Sequence, residues 1–322
     1  MSRVLVTGAT GFVGRALCAE LMLRGHAVCA ALRHVEDNTR LALEGVEAIA
    51  VGAVDAATDW RNALAGCEAV VHLAARVHVM RDEATDPLTE FRAVNVAGTL
   101  NLAHQAAKAG VRRFVYLSSI KVNGEETLPG RPFTEQDVPA PHGPYGISKH
   151  EAEEALRKFA QQSGMEVVII RPPLVYGPGV KANFLNMMRW LHKGVPLPFG
   201  AIHNYRSLVA LDNLIDLIIT CIKHPAAANQ TFLVSDGEDI STTELLLRAG
   251  VALDTPARLL PVPQKLLEMS FKAVGKSDLA QRLCGSLQVD IMKACIMLDW
   301  RPQVSVDEGL RRTTECFLRE RG

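Results

Sequence analysis

The sequence predicts an α/β protein in which a doubly wound parallel sheet is followed by a smaller, mostly helical domain. Three observations support this prediction: short apolar segments alternate with helical patterns, a glycine-rich loop follows the first strand, and the composition changes after about residue 172. The 322 residues suit one large α/β unit or two closely joined domains. We therefore predict a sheet domain over 1–172 and a second domain over 173–322, with 208–235 returning to the first.

The strand candidates are near-continuous apolar segments, the pattern of parallel strands that are covered on both faces. They span residues 3–7, 26–32, 47–51, 69–74, 113–118 and 166–171. The helix after the first strand keeps an apolar stripe through Val13, Leu17 and Leu21 and is expected to end at Gly25. A later apolar segment, 231–235, is a candidate for a strand that returns to the sheet.

The second half begins with the stretches "RPPLVYGPG" and "GVPLPFG", whose prolines and glycines interrupt regular structure. Helical patterns then dominate, at about 181–194, 212–223, 241–250, 263–275 and 306–320. The cleft between two such domains is a common place for a substrate to bind.

The composition argues against several classes of partner. Lys+Arg and Asp+Glu both number 35, so the net charge is zero and there is no electrostatic footprint for nucleic acid or a membrane surface. No apolar run reaches ~18 residues, so we expect no membrane span. The seven cysteines are scattered without a C-x-x-C, which predicts neither a metal site nor disulfides. We expect a cytoplasmic protein without a signal peptide.

The stretch "VTGATGFVG" places Gly8, Gly11 and Gly14 between the first strand and the first helix. In such a loop the first glycine allows a tight turn, the second lets the backbone approach a pyrophosphate, and the third lets helix pack on strand. The helix N-terminus then offers free N–H groups and a partial positive charge to the phosphates. With a strand before it and a helix after it, the loop predicts a dinucleotide site.

The end of the second strand bears on which dinucleotide binds. An acid that holds the free ribose 2′-OH usually stands there, about 20 residues beyond the loop. Here Leu32 ends the strand and Arg33 follows it, and an arginine can pair bidentately with a 2′-phosphate. A carboxylate would repel that phosphate by about 4 kcal/mol at ~4 Å and an effective dielectric of ~20. We expect NADP(H) in preference to NAD(H); alternatively, Glu36 or Asp37 holds the ribose of NAD.

A second motif lies in "PYGISKHEAEEAL", residues 144–156, which reads as a helix entered through a proline. Tyr145 and Lys149 stand four residues apart and therefore share one face of that helix. Taken alone, the pair is also compatible with a half-buried tyrosine and a solvated lysine, because short motifs carry a high risk of false positives.

Six motifs in order resemble the extended branch of the short-chain dehydrogenase/reductase superfamily over nearly the whole chain. They are "TGATGFVG" (7–14), "HLAAR" (72–76), "NVAGT" (95–99), "YLSSIKVNG" (116–124), "YGISK" (145–149) and "RPPLVYGPG" (171–179). The resemblance implies a Rossmann-type fold and makes Tyr145 and Lys149 the family's catalytic pair.

The resemblance also implies that Ser119 is the third catalytic residue, with Ser118 as its rival, and that Asn95 has a supporting role. In the reducing direction, Tyr145 would donate a proton to a carbonyl oxygen while hydride reaches the carbon. A free tyrosine has a pKa near ~10, and we expect Lys149 and an oxidised nicotinamide ring to lower it. Lys149 would also hold the nicotinamide ribose.

The residues that the resemblance places at the cofactor come from the glycine loop, the ends of several strands and the catalytic helix. They are Gly8, Thr10, Gly11, Phe12, Val13, Gly14, Arg33, Leu73, Ala74, Ala75, Tyr145, Lys149 and Pro172. The chain departs from the family at the third strand, where relatives often carry an adenine-contacting aspartate directly after a glycine. Here Ala53 holds that position and Asp55 comes two residues later.

For the substrate, the resemblance implies a nucleotide sugar. Arg206 matches the arginine that reaches the diphosphate, Asn183 matches a residue at the pyrophosphate, and Arg282 is a candidate second arginine. Ser119 and Tyr145 would contact the sugar. Relatives often pair as homodimers through a four-helix interface, which implies a homodimer here through the helices near 96–109 and 145–162.

Ile120 and Lys121 stand where dehydratases of the family carry an acid pair, which disfavours dehydration. Arg33 favours a reductase, because NADPH is the usual cellular reductant. The segments "RPPLVYGPGVKANFLNMM" and "PVPQKLLEM" are similar to bacterial O-antigen enzymes, and this resemblance narrows the expected reaction to C4 reduction of a UDP-4-keto-6-deoxy-N-acetylhexosamine. The product would be UDP-N-acetylquinovosamine or UDP-N-acetylfucosamine for cell-surface polysaccharide. The alternatives are a UDP-sugar 4-epimerase and a non-enzymatic NADP-binding regulator; the intact catalytic set argues against the regulator.

Overall fold

The computed structural model describes residues 2–37, 44–77, 86–128, 130–273, 275 and 277–320. Its strands are β1 (Arg3–Thr7), β2 (Ala27–Leu32), β3 (Glu47–Ala50), β4 (Ala69–His72), β5 (Arg113–Leu117), β6 (Glu166–Arg171), β7 (Leu174–Tyr176), β8 (Arg206–Ala210), β9 (Thr231–Leu233) and β10 (Asp239–Ile240). Each of the six strands predicted in the first half is present, and the predicted returning segment forms β9.

Within the described residues, seven strands form one sheet in the order β3-β2-β1-β4-β5-β6-β9. Every pairing in this sheet is parallel. The predicted doubly wound parallel sheet is confirmed. The strand order reverses between β1 and β4, and in such sheets ligands bind outside the carboxyl ends of the strands at this point.

The helices are α1 (Phe12–Leu23), α2 (Arg61–Leu64), α3 (Pro87–Arg92), α4 (Thr99–Lys108), α5 (Gly143–Ser163), α6 (Ala182–His192), α7 (Leu211–Lys223), α8 (Thr242–Ala252), α9 (Gln264–Ala273), α10 (Ser277–Cys284), α11 (Met292–Leu298) and α12 (Val306–Arg319). A π-helical turn, Ala93–Gly98, joins α3 to α4. The short helices α10 and α11 fall outside the predicted helical patterns. None of the helices described is long and apolar enough to cross a membrane.

Both faces of the large sheet are covered, because the strands are apolar on both sides. One core cluster contains residues of α1 and α7 such as Leu17 and Leu214, and the opposite cluster contains residues of α4 and α5 such as Leu102 and Leu156. The segment expected to return to the sheet domain is divided between two sheets. Strand β9 joins the large sheet, and α7 packs against one face of that sheet. Strand β8 instead pairs with β7 and β10 in a small separate sheet.

A third core cluster, with Phe184, Met188 and Leu310 among its members, lies outside the large sheet. It draws on α6, α8 and α12. This cluster gives the second half of the chain a core of its own. The predicted boundary at residue 172 falls between β6 and β7.

Candidate active site

The glycine loop joins β1 to α1 in close contact with the segment after β4. Gly8 has a φ of 67°, and a Cβ there would lie 2.9 Å from the backbone nitrogen of Ala74. A Cβ on Gly14 would lie 2.1 Å from the carbonyl oxygen of Gly8, so α1 packs against the turn only because Gly14 lacks a side chain. Gly11 is exposed at the N-cap of α1. Two glycines therefore shape the loop, and the third lies open to a ligand.

The other residues predicted at the cofactor lie around this loop or at neighbouring strand ends. Thr10, Phe12 and Val13 are half-buried in the loop and the first turn of α1. Leu73, Ala74 and Ala75 directly follow β4, and Pro172 directly follows β6. The carbonyl oxygen of Pro172 accepts a 3.0 Å hydrogen bond from the backbone N–H of Ile120.

Arg33 is exposed directly after β2, and the last residue of that strand, Leu32, is buried. The alternative acids Glu36 and Asp37 lie a few residues later in the 3₁₀ turn Val35–Asp37. The structure therefore has an exposed arginine directly after the strand end where a 2′-OH would ordinarily meet a carboxylate.

The catalytic candidates come from the carboxyl end of β5 and the first turns of α5. Helix α5 begins at Gly143 and has Pro144 in its first turn, where a proline costs no hydrogen bond. Ser119 follows β5, and its Oγ accepts a 3.3 Å hydrogen bond from the backbone N–H of Lys121. The Ser119 hydroxyl also forms a hydrogen bond with the Tyr145 hydroxyl. The structure thus brings the predicted serine and tyrosine into contact.

Ser118 has a different environment, although it is adjacent in sequence. It is buried, and its Oγ donates a 2.5 Å hydrogen bond to Oε1 of Glu153. Glu153 lies one turn beyond Lys149 on α5. Of the two serines, it is therefore Ser119 that lies beside Tyr145.

Lys149 is almost completely buried, with 2% of its surface exposed. Its Nζ donates a 2.6 Å hydrogen bond to the carbonyl oxygen of Leu117 and lies 4.1 Å from the centre of the Tyr116 ring. Burial lowers the pKa of Lys149 to about 7, an effect that the negative charge of Glu153 partly opposes.

The protein's own groups raise the pKa of Tyr145 to about 12, because burial disfavours the phenolate, and the hydrogen bond from Ser119 offsets this only in part. Contrary to the prediction, Lys149 does not lower this pKa among the protein's own groups; the contribution expected of an oxidised nicotinamide ring stays a prediction. The physical reason is the position of the Lys149 ammonium, which hydrogen-bonds the backbone of β5 and lies over Tyr116.

Asn95 ties the start of α5 to the segment after β4. Its Oδ1 accepts a 2.8 Å hydrogen bond from the backbone N–H of Arg76, and its Nδ2 donates a 3.0 Å hydrogen bond to Oγ of Ser148. Ser148 Oγ in turn donates to the carbonyl oxygen of Tyr145 at 2.9 Å. This geometry fits the supporting role expected of Asn95.

A cavity of about 420 Å³ lies beside Tyr145. Two predicted substrate residues, Arg206 and Arg282, line it together with Tyr145. Asn183 lies exposed in the first turn of α6 and is not among the described residues that line this cavity. Sequence reasoning missed several polar residues of its wall, because turns and the short helix α10 bring them there. They are Lys121, Glu125, His142, Asp278 and Gln281.

The two arginines of the cavity differ in environment. Arg206, on β8, is half-buried, and its Nη1 donates a 3.0 Å hydrogen bond to the carbonyl oxygen of Gly285. Burial lowers the pKa of Arg206, but arginine remains a cation in proteins. Arg282, on α10, is exposed. A half-buried guanidinium and an exposed one thus converge on the cavity that Tyr145 enters.

The chain matches the NAD dependent epimerase/dehydratase family over residues 4–235. It belongs to this family. A UDP-glucose 4-epimerase of Vibrio cholerae is 52% identical over 318 residues, which cover 98% of this chain and 95% of that one. The structure of a Thermotoga maritima UDP-glucose 4-epimerase with UDP-glucose superposes with a TM-score of 0.78 at 22% identity, covering 99% of this chain and 100% of that one.

A second solved structure, a Bacillus cereus UDP-glucuronic acid 4-epimerase in complex with NAD, has a TM-score of 0.79 at 19% identity and covers 99% of this chain and 100% of that one. The family expected from the six motifs is therefore confirmed, and so is the fold. The narrower resemblance to O-antigen reductases is not supported by these relatives, whose names are those of 4-epimerases.

As an epimerase/dehydratase, the chain is expected to bind a nicotinamide dinucleotide, and its loop fits one. In the described part of the chain no side chain caps the N-terminus of α1, so its first N–H groups are left for an anion. Gly8 and Gly14 remove the side chains that would fill the turn beneath it. Arrays of three or more metal-binding side chains are absent from the described residues.

Proposed function

We propose that this protein is a UDP-sugar 4-epimerase. The observation that carries the proposal is a single cavity lined by Tyr145, Arg206 and Arg282. It combines a hydroxyl that can exchange a proton at the sugar with two cations that can bind a diphosphate. The 52% identity to a Vibrio cholerae protein named UDP-glucose 4-epimerase supports the same reaction.

In this mechanism the bound dinucleotide supplies the hydride acceptor and, in the return step, the hydride donor. Tyr145 takes the proton of the C4 hydroxyl as the C4–H bond breaks, and returns it when hydride reaches the opposite face of C4. Ser119, hydrogen-bonded to Tyr145, orients the C4 oxygen. Lys149 would hold the ribose hydroxyls of the cofactor when it is bound.

Arg206 and Arg282 would bind the two phosphates of the UDP moiety. The guanidinium of Arg206 is fixed by its hydrogen bond to Gly285 and is half-buried, so its attraction to a phosphate is less screened than on an open surface. Asn183 remains a predicted pyrophosphate contact. These contacts would anchor the nucleotide while the sugar is presented to Tyr145.

A second candidate function is the NADPH-dependent reduction of a UDP-4-keto-6-deoxy-N-acetylhexosamine at C4. One specific observation favours it, which is the exposed Arg33 directly after the buried Leu32. A guanidinium there suits the 2′-phosphate of NADPH. The products would be UDP-N-acetylquinovosamine or UDP-N-acetylfucosamine for cell-surface polysaccharide.

The proposal also covers the cellular location and the oligomeric state of the protein. A UDP-sugar enzyme without a described membrane-spanning helix would act in the cytoplasm, where UDP-sugars are made. We expect a homodimer formed through α4 and α5, and light scattering on the purified protein would measure its mass.

The test is to incubate the purified protein with UDP-glucose or UDP-N-acetylglucosamine and to follow inversion at C4 by proton NMR. A 4-epimerase yields a mixture of the gluco and galacto forms without net consumption of cofactor. Tyr145→Phe should abolish the inversion and leave the dinucleotide bound.

The same protein is then mixed with the 4-keto-6-deoxy sugar and NADPH. Oxidation of one equivalent of NADPH per sugar, with no inversion of the 4-hydroxy sugars, would overturn the epimerase and establish the ketoreductase. Absence of both reactions would contradict both functions.

A further inference from the structure

Glu153 is a fully buried carboxylate one helical turn beyond Lys149. Its Oε2 accepts hydrogen bonds from Arg171 at 2.6 Å and from Arg157 at 2.7 Å. Its Oε1 accepts from Arg171 Nε at 2.9 Å and from Ser118 Oγ at 2.5 Å. A buried carboxylate persists only when partners of this kind compensate for the lost hydration. The position of Glu153 is therefore fixed from three directions.

The carboxylate of Glu153 is also held in its ionised form. Burial alone would raise its pKa, but the hydrogen bonds and charge of Arg171, together with Arg157 and Ser118, outweigh burial and lower it. An acid whose pKa is lowered carries its full negative charge throughout the neutral range. Glu153 is thus a permanent anion on the buried face of the catalytic helix α5.

Apart from Glu153 and its ion-pair partner Arg171, the groups that face Lys149 are uncharged. From β4, His72 is neutral, because burial and then the charge of Lys149 lower its pKa to about 3. From β5, Tyr116 is neutral because burial raises its pKa, and the same holds for Tyr145 on α5. Arg171 reaches from β6, but its guanidinium is paired with Glu153. Among these groups, Glu153 is the one whose charge favours the ammonium form of Lys149.

We propose that Glu153 is a positioning residue that keeps Lys149 protonated and, through Ser118, fixes the strand end that carries Ser119. The inference rests on the proposed function, because it gives Lys149 and Ser119 their catalytic roles. Tyr145, Lys149, Glu153 and Arg157 recur every four residues and therefore share one face of α5. The buried charge on this face acts on the reaction without touching the substrate.

The test uses Glu153→Gln in the full-length protein. Loss of the negative charge lowers the pKa of Lys149, so the ammonium form is lost at a lower pH. The alkaline limb of the kcat profile should move down by about one pH unit. The loss of kcat should therefore grow between pH 6 and pH 9, whereas KM for the UDP-sugar stays nearly constant. The titration of Lys149, followed by NMR on protein with carbon-13-labelled lysine, should shift in the same direction.

Arg157→Gln is the matched control. It removes a cation from the far side of the same carboxylate, and 40% of the Arg157 side chain is exposed. It should leave the alkaline limb in place, because Glu153 keeps its charge. If Glu153→Gln does not fold, Glu153→Asp keeps an acid on α5 but draws its charge back by one methylene, and it should show a smaller shift in the same direction.

A folded Glu153→Gln or Glu153→Asp variant whose Lys149 titrates as in the unmodified protein would overturn the proposal. A loss of kcat that is equal at every pH would also overturn it, because a purely structural role predicts that pattern. The lysine titration requires no turnover. Failure of the proposed function would show itself separately, as an unmodified protein that inverts or reduces no UDP-sugar.

Discussion

Thr7, the last residue of β1, and His72, the last residue of β4, are joined by a 2.7 Å hydrogen bond between Oγ1 and Nδ1. The other ring nitrogen of His72 lies 2.9 Å from Oγ1 of Thr99, which itself donates to the carbonyl oxygen of Asn95 at 2.7 Å. Thr99 therefore accepts from Nε2–H, and Nδ1 accepts the proton of Thr7. The hydrogen bond between Thr7 and His72 thus links the ends of β1 and β4, the two strands between which the strand order reverses.

Thr7 also accepts the backbone N–H groups of Leu73 and Ala74 at 3.2 and 3.1 Å. Replacing Thr7 with valine would remove the hydroxyl that these two N–H groups and Nδ1 of His72 share. We expect Thr7→Val to lower the free energy of unfolding by about 2–3 kcal/mol and to weaken dinucleotide binding. Urea denaturation and calorimetry measure the two effects. Thr7→Ser keeps the hydroxyl, and equal losses in both variants would contradict the prediction.

The adjacent serines Ser118 and Ser119 should differ in role, so that substitution of one affects mainly stability and substitution of the other mainly kcat. Ser119→Ala removes a hydroxyl that hydrogen-bonds Tyr145 and should lower kcat about 100-fold with little change in stability. Ser118→Ala removes a donor to the buried Glu153 carboxylate, so it should cost about 1–3 kcal/mol of stability and affect kcat less. Steady-state kinetics and thermal unfolding of both variants would test this, and the opposite pattern would make Ser118 the catalytic serine.

The ring of Tyr116 should help to hold the ammonium of Lys149. Tyr116→Phe keeps the ring 4.1 Å from Nζ and should leave cofactor affinity nearly unchanged. Tyr116→Leu removes the ring and its attraction for the cation, which is worth about 1–2 kcal/mol, so the dinucleotide should bind about tenfold more weakly. Calorimetric titration measures both affinities. Equal affinities for the two variants would show that the aromatic ring has no such role.

The two arginines of the cavity should differ in their effect on KM. Arg206→Gln should raise KM for a UDP-sugar about 30-fold or more, because Arg206 is half-buried and hydrogen-bonded in place. Arg282→Gln should raise KM only about threefold, because an exposed ion pair contributes less. Inhibition by free UDP should weaken in parallel, and the exposed Arg301 provides a control variant, Arg301→Gln. Unchanged inhibition by UDP in Arg206→Gln would remove Arg206 from the phosphate site.

Arg33 should decide between the two dinucleotides. If it binds a 2′-phosphate, Arg33→Glu should weaken NADPH binding at least about tenfold and leave NADH binding nearly unchanged. Calorimetry on protein freed of nucleotide measures both. Tight NADH binding that Asp37→Asn or Glu36→Gln weakens would instead assign the ribose to one of these acids and contradict the role of Arg33.

Much of the fold could be predicted because its signals are local. Apolar β-branched segments mark the strands, and the spacing of Tyr145 and Lys149 places both on one helical face. The choice between Ser118 and Ser119 could not be read in this way. It depends on Glu153, which is 35 residues away from Ser118 and needs a buried donor.

The direction of the Tyr145 pKa also escaped sequence reasoning. A lysine four residues away suggests a lowered pKa, but both groups are buried in the folded chain. The ammonium of Lys149 hydrogen-bonds the carbonyl oxygen of Leu117 and lies over the ring of Tyr116. The cavity wall contributed by Asp278 and Gln281 lies on a helix of only eight residues, Ser277–Cys284, which folding brings to the cavity from a distant part of the chain. Burial and long-range packing decide these features, and neither is encoded in a local window.

The last strand of the large sheet, β9, pairs with β6, although more than 50 residues separate them. A ribosome releases the chain from its N-terminus, so the six strands up to Arg171 emerge before the helix and strand that complete one side of the sheet. During that interval the edge of β6 has no neighbour, and the apolar face that α7 later covers is open to water. The nascent chain therefore passes through a stage at which an unpaired strand edge and an apolar face favour aggregation, and slower translation after residue 172 would lengthen that stage.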